Sequence, residues 1–275
     1  MIYFLTSQPL WVSGALLVGL GTALASLGPS VVRRYVTLER LSANNEIAGF
    51  KFATVGVLYA VLLAFAIIVV WQKYSDAEGV VAQEASAAAT IYRLSQGLGD
   101  EPGGKLRDAL TAYLKEVIAD DWPAMGLGLK GASGAARHGL DGIYTALLTF
   151  DSPERRNATL VAEILRQIDN ITQARRTRLV TAEGVVPPVL WIVLFGGAFV
   201  TIAFTFFFGT LNLRAQTLMT TLLALLIFCE LWIVIAIDRP FTGTIKVEST
   251  PLAEVLSDFA SGPDAAHQPA AAPQP

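Results

Sequence analysis

A single cysteine, Cys229, and two histidines, His138 and His267, are all that this 275-residue chain holds of the side chains favoured by transition-metal centres. One cysteine excludes an intramolecular disulfide and any zinc site built from cysteines. The histidines lack carboxylate or cysteine partners at ligand spacing and read as solvated groups, one in a loop and one in the C-terminal tail. Charge is also scarce: 16% of residues are charged and the net charge is −3, which leaves no basic face for nucleic acid. The glycine-rich "GLGLKGASG" has neither a preceding strand nor the Lys-Ser/Thr ending of a phosphate loop, so it reads as a flexible connection. No catalytic arrangement, metal or cofactor is expected, and the composition points away from an enzyme.

What the chain has instead is apolar length. Hydrophobic residues make up 53% of it and the mean hydropathy is +0.51, outside the usual range of a soluble globular chain. Four stretches reach the roughly 20 residues that a helix needs to cross a hydrocarbon core: Leu10 to Gly28, Phe52 to Trp71, Pro187 to Gly209, and Thr217 to Ile237. The "ALAS" at 23–26 resembles a signal-peptide cleavage site, but no Lys or Arg precedes the first run, which is read as a span. The expected fold is an all-α integral membrane protein with a helical extramembrane portion between the second and third spans. The boundaries fall at 1–71 (spans one and two), 72–186 (the helical portion), 187–237 (spans three and four), 238–260 (a post-span segment) and 261–275 (a Pro- and Ala-rich tail expected to be disordered).

Within the helical portion, no proline occurs between Lys51 and Glu101, so the second span continues as one long helix that "GLGDEPGG" ends. Ala77, Val81, Ala85, Ala88, Ile91 and Leu98 give it a stripe for close packing. A helix from Lys105 to Trp122, stopped by Pro123, buries Leu106, Leu110, Tyr113, Val117 and Ile118. Another runs from Gly139 to Thr149, and "DSPE" at 151–154 starts a last one carrying Leu160, Ile164, Ile168, Ile171, Arg175, Leu179 and Ala182 on one face.

Several residues invite a functional reading beside a plain one. Leu58, Val61, Phe65, Ile68 and Gln72 share a face of the second span; around an axis they would form apolar rings that gate by excluding water, and otherwise they are packing surface. Glu230 lies inside the fourth span, where a charge is costly. It either pairs with a donor such as Tyr59, Thr201 or Thr205, or lines an aqueous path. Arg175, Arg176 and Arg178, shortly before the third span, either ring a pore mouth or meet lipid phosphates. Orientation is in conflict: Arg33, Arg34 and Arg40 mark the first loop as cytoplasmic, whereas Arg175, Arg176, Arg178, Arg239 and Lys246 mark the opposite side.

Two stretches together, "NNEIAGFKFATVGVLYAVLLAFAIIVVWQKYSDAEGVVAQEASA" and, after the fourth span, "DRPFTGTIKV", resemble the bestrophin-like family of bacterial membrane proteins, itself distantly similar to the bestrophin ion channels. The resemblance implies a bestrophin-like fold, a pentameric homo-oligomer in the lipid bilayer, a cytosolic helical portion in a cell inner-membrane protein, and passive conduction of small ions along the second span. The rival is a non-conducting scaffold or regulator whose long helices bind a partner. Tyr74, Asp76 and Glu78 or Glu84 echo the aromatic and charged run that follows the second span in bestrophins, without its tryptophan pair and arginine. Asp238, Arg239, Pro240, Phe241 and Gly243 resemble the acidic-Pro-Phe-Gly segment after the fourth span, with Thr242 inserted and Arg239 in place of an acidic neighbour. The carboxylate cluster of the animal calcium site is missing, so no calcium gating is implied.

Overall fold

In hydrocarbon every backbone N–H and C=O must be satisfied within the chain, so long apolar runs fold as helices. The computed structural model describes residues 9–129, 134–149, 155–184 and 186–261, and every regular element among them is helical. The "DSPE" helix start, His267 and residues 262–275 of the tail lie outside the described residues. Contacts divide the chain into two units, 1–74 with 184–246 and 75–183 with 247–275.

The first unit holds four helices long and apolar enough to cross a membrane: α1 (Leu10–Tyr35), the first part of α3 (Asn45–Ser95), α8 (Pro188–Thr205) and α9 (Leu213–Ile237). A short helix, α2 (Leu38–Ser42), lies between α1 and α3. Tyr59, Leu63 and Val70 of α3 pack with Leu194, Ala198 and Ile202 of α8 and Ala224, Leu231 and Val234 of α9. Few polar contacts join the helices, as befits packing in lipid. The Tyr59 hydroxyl donates to the Leu194 carbonyl at 3.1 Å, Trp232 Nε1 to Ser13 Oγ at 3.1 Å, and the Thr205 and Thr220 hydroxyls lie 3.2 Å apart.

Side chains also satisfy the backbone at both ends of this unit. At one end the Asn45 amide donates to the Gly209 carbonyl at 2.7 Å and accepts from the Gly209 N–H at 3.0 Å, Arg33 donates to the Thr210 carbonyl, and Gln216 Nε2 donates to the Phe208 carbonyl at 2.6 Å. Together they tie the α8–α9 turn to the end of α1 and the start of α3. At the other end Asp238 Oδ1, just past α9, accepts from the Val186 N–H at 2.8 Å, fixing the chain as it enters α8.

The second unit comprises the rest of α3, then α4 (Asp100–Glu116), α5 (Trp122–Gly126), α6 (Gly134–Leu148), α7 (Arg155–Thr181) and α10 (Thr250–Ser261). Gly99, at φ 91°, supplies the left-handed turn that ends the α3 run after a 3₁₀ turn at Gln96–Leu98. Ala77, Val81, Ala85, Ala88 and Ile91 are buried as the stripe predicts. Gly139 lets α6 approach α4 closely: a Cβ there would stand 3.0 Å from the Tyr113 Cα.

Three expectations change. The helix placed at Lys105–Trp122 begins at Asp100 and does not stop at Pro123. Between α4 and α5 lies a π-helical turn, Val117–Asp121, and Pro123 sits in the first turn of α5. In a continuous α-helix Pro123 would clash with the Ala119 carbonyl and deny it a donor; the wider turn relieves both. The third helix begins at Gly134 rather than Gly139, which puts His138 on an exposed helix face rather than in a loop.

Candidate functional site

The apolar face of α3 in the first unit is uncovered. Leu58, Phe65 and Ile68 are 68%, 64% and 59% exposed, and Val61 and Gln72 are exposed with them, whereas Leu63 and Val70 on the opposite face are 1% and 0% exposed. The helix thus has one side committed to its own unit and one side free. The three- and four-residue spacing of the free side continues past Gln72 through Ser75, Gly79, Ala82 and Ser86, all exposed. Small and hydroxylated residues replace bulky apolar ones where the helix leaves the apolar run.

Glu230 is half-buried on α9 and has no hydrogen-bond or ion-pair partner among the described residues. None of the donors expected for it is bonded to it: Tyr59 serves the Leu194 carbonyl, Thr205 donates to the Ile202 carbonyl at 2.6 Å, and the Thr201 hydroxyl is buried without a partner. Among the described residues, no hydrogen bond or ion pair within the chain accounts for Glu230.

Arg175 and Arg178 are corrected outright. Neither stands at a pore mouth nor at lipid, because both are buried in the core of the second unit. Arg178 is 0% exposed and grips Glu84 with both ends of its fork, Nε to Oε2 at 2.9 Å and Nη2 to Oε1 at 3.2 Å. Its Nη2 also lies 3.4 Å from Asp121 Oδ2, its Nη1 donates to Met125 Sδ at 3.5 Å, and its guanidinium carbon lies 4.8 Å from the Trp122 ring centre. Arg175 Nε donates to the same Asp121 oxygen at 3.2 Å. Tyr113 donates to Glu84 Oε1 at 2.6 Å. Of the three arginines only Arg176 is exposed.

Two carboxylates and two guanidiniums cancel, which is what allows charge to persist out of water. Burial works against the Arg178 charge, but Glu84 beside it, with help from Tyr113 and Asp121, outweighs that and holds the guanidinium above its ordinary value. Burial, then the Glu84 charge, pushes the Tyr113 phenol well up, so it stays a donor. The cluster pins α3, α4, the π-helical turn and α7 to one another.

The post-span residues are placed by packing. Asp238, Arg239 and Phe241 are 2%, 8% and 1% exposed, Pro240 is buried, and Gly243 is half-buried. Asp238 spends one oxygen on the Val186 N–H. Among the described residues no three His, Cys, Asp or Glu side chains gather as a metal site would need.

Comparison with known proteins adds the family. Residues 19–252 match the model of the Bestrophin-like domain. Solved structures share the fold: a bacterial bestrophin homologue from Klebsiella pneumoniae carrying a mutation aligns with TM-score 0.69 at 12% identity, over 89% of this chain and 98% of that one. A second mutant of that homologue gives 0.67 at 12% identity, over 91% and 99%. A variant described as a membrane protein gives 0.68 at 11% identity, over 89% and 97%. No curated protein matches the sequence.

Proposed function

The chain belongs to the bestrophin-like family, and on that premise we propose that it assembles as a homo-oligomeric ion channel, with the free face of α3 lining an axial path for small ions. The observation that carries this reading is the two-sided character of α3. α1, α8 and α9 also keep exposed apolar side chains, but on α3 Leu58, Val61, Phe65, Ile68 and Gln72 share one uncovered side in a helix that runs on beyond the apolar stretch. Arranged about an axis, the apolar residues form rings that hold back water, and the small residues beyond them leave room for it. The pentameric number comes from the resemblance to bestrophins.

We place the second unit in the cytoplasm of an inner-membrane protein. Arg33, which pulls the other way by the positive-inside tendency, donates to the Thr210 carbonyl, a structural use that needs no particular side. The reading is tested by reconstituting the purified chain into liposomes loaded with a small ion. Passive flux down the gradient, from particles that image as closed rings, is expected. Rings without flux overturn conduction and favour the scaffold; monomers or dimers overturn the assembly as well.

A further inference from the structure

The α8–α9 turn, the end of α1 and the start of α3 meet at one end of the first unit, held by the Arg33, Asn45 and Gln216 bonds described above. Over residues 33–51 and 206–214 this end carries five cations, Arg33, Arg34, Arg40, Lys51 and Arg214, against two carboxylates, Glu39 and Glu46, in a chain whose net charge is −3. Arg34, Arg40, Lys51 and Arg214 are exposed and Arg33 is half-buried. Among the described residues none of the seven charges makes an ion pair. Arg33 meets only the neutral Thr210 carbonyl, and its Nε is buried without a partner. Elsewhere the chain treats arginine differently, since Arg175 and Arg178 are matched one for one by carboxylates.

Large apolar side chains stand among these cations. Tyr35, Phe50 and Leu211 are 85%, 79% and 93% exposed. A soluble anion would answer the charges and leave this apolar surface in water. An amphiphile answers both. The position agrees: α9 has 25 residues, about 37 Å at 1.5 Å per residue, against a hydrocarbon thickness of about 30 Å, so its end reaches the depth of the headgroups.

We propose that this end binds the phosphate of an anionic phospholipid, with Arg33, Arg34 and Arg214 supplying the positive charge and Tyr35, Phe50 and Leu211 lying against the acyl and glycerol region. The cations of the first loop then mark a lipid contact rather than the cytoplasmic side, which removes their conflict with a cytosolic second unit. The proposal stands whether or not the protein conducts.

The test is native mass spectrometry of the full chain released from bilayers of equal phosphatidylglycerol and phosphatidylcholine. The expected result is enrichment of phosphatidylglycerol on the protein, falling about fivefold for each of Arg34→Gln and Arg214→Gln. Arg34→Lys with Arg214→Lys should keep the enrichment, because the charge remains. Inorganic phosphate should not displace the lipid. Equal retention of both lipids, enrichment unchanged in the double glutamine variant, or displacement by inorganic phosphate overturns the proposal. So does a double glutamine variant whose only change is dissociation of the oligomer, since the surface would then be a contact between copies.

Discussion

Replacing Arg178 by methionine is expected to unfold the second unit or bring it close to unfolding. The substitution leaves Glu84, 0% exposed, without its cation, and removes one of the two that Asp121 faces. Breaking a buried pair on one side costs about 3–5 kcal/mol, a large share of the 5–15 kcal/mol that stabilises a typical domain. Thermal unfolding in detergent, followed by the fluorescence of Trp122 beside the cluster, should show a strongly lowered midpoint. Adding Glu84→Gln to Arg178→Met should recover part of the loss, because the Tyr113 hydroxyl keeps an acceptor while the orphaned charge disappears. Arg176→Met, on the exposed side of the same helix, should leave the midpoint unchanged. Equal effects from Arg176→Met and Arg178→Met would contradict the buried network.

That network was half written in the sequence. Glu84 falls in the three- and four-residue spacing of Ala77, Val81, Ala88 and Ile91, and Arg175 and Arg178 fall in that of Ile164, Ile168, Ile171 and Ala182. Opposite charges on two stripes that are otherwise apolar are a signal for a buried pair. The closeness of the arginines to the third span, where basic flanks are common, masks that signal. Asp121 carried no such signal, because the π-helical turn at Val117–Asp121 shifts the phase that spacing arguments assume. The four spans were legible because hydrocarbon thickness sets helix length and composition alone reports it. That Glu230 lacks a partner among the described residues and that Arg33 binds the carbonyl of Thr210, far along the chain, were not, since helix periodicity says which face a residue takes and nothing of which helix comes to meet it.

The second large effect is expected at the free face of α3. If Phe65 and Ile68 form the narrow apolar rings, Phe65→Ala and Ile68→Ala widen the path and let water in, and ion flux in liposomes should rise in both. A barrier lowered by about 1.4 kcal/mol is a tenfold faster passage. Neither side chain packs inside its own unit, at 64% and 59% exposed, so assembly and melting should be little changed. Leu63→Ala is the contrast. Leu63 is 1% exposed, its truncation opens a cavity costing about 2–5 kcal/mol, and it should lower the melting temperature without raising flux. If Leu63→Ala raised flux and the two face variants did not, the gate would lie elsewhere.

Whether ions pass along this side of α3 is decided by chemical access to it. Phe65→Cys is made in a Cys229→Ala background, which removes the one native thiol, and a small charged, water-soluble thiol reagent is added while flux is recorded from proteoliposomes. Modification at position 65 is expected to change flux progressively, with a reducing agent restoring it, whereas Val70→Cys, at a position 0% exposed on the opposite side of the helix, is untouched. A protein that conducts, with position 65 inaccessible or modified without any change in flux, would contradict passage along this side of α3.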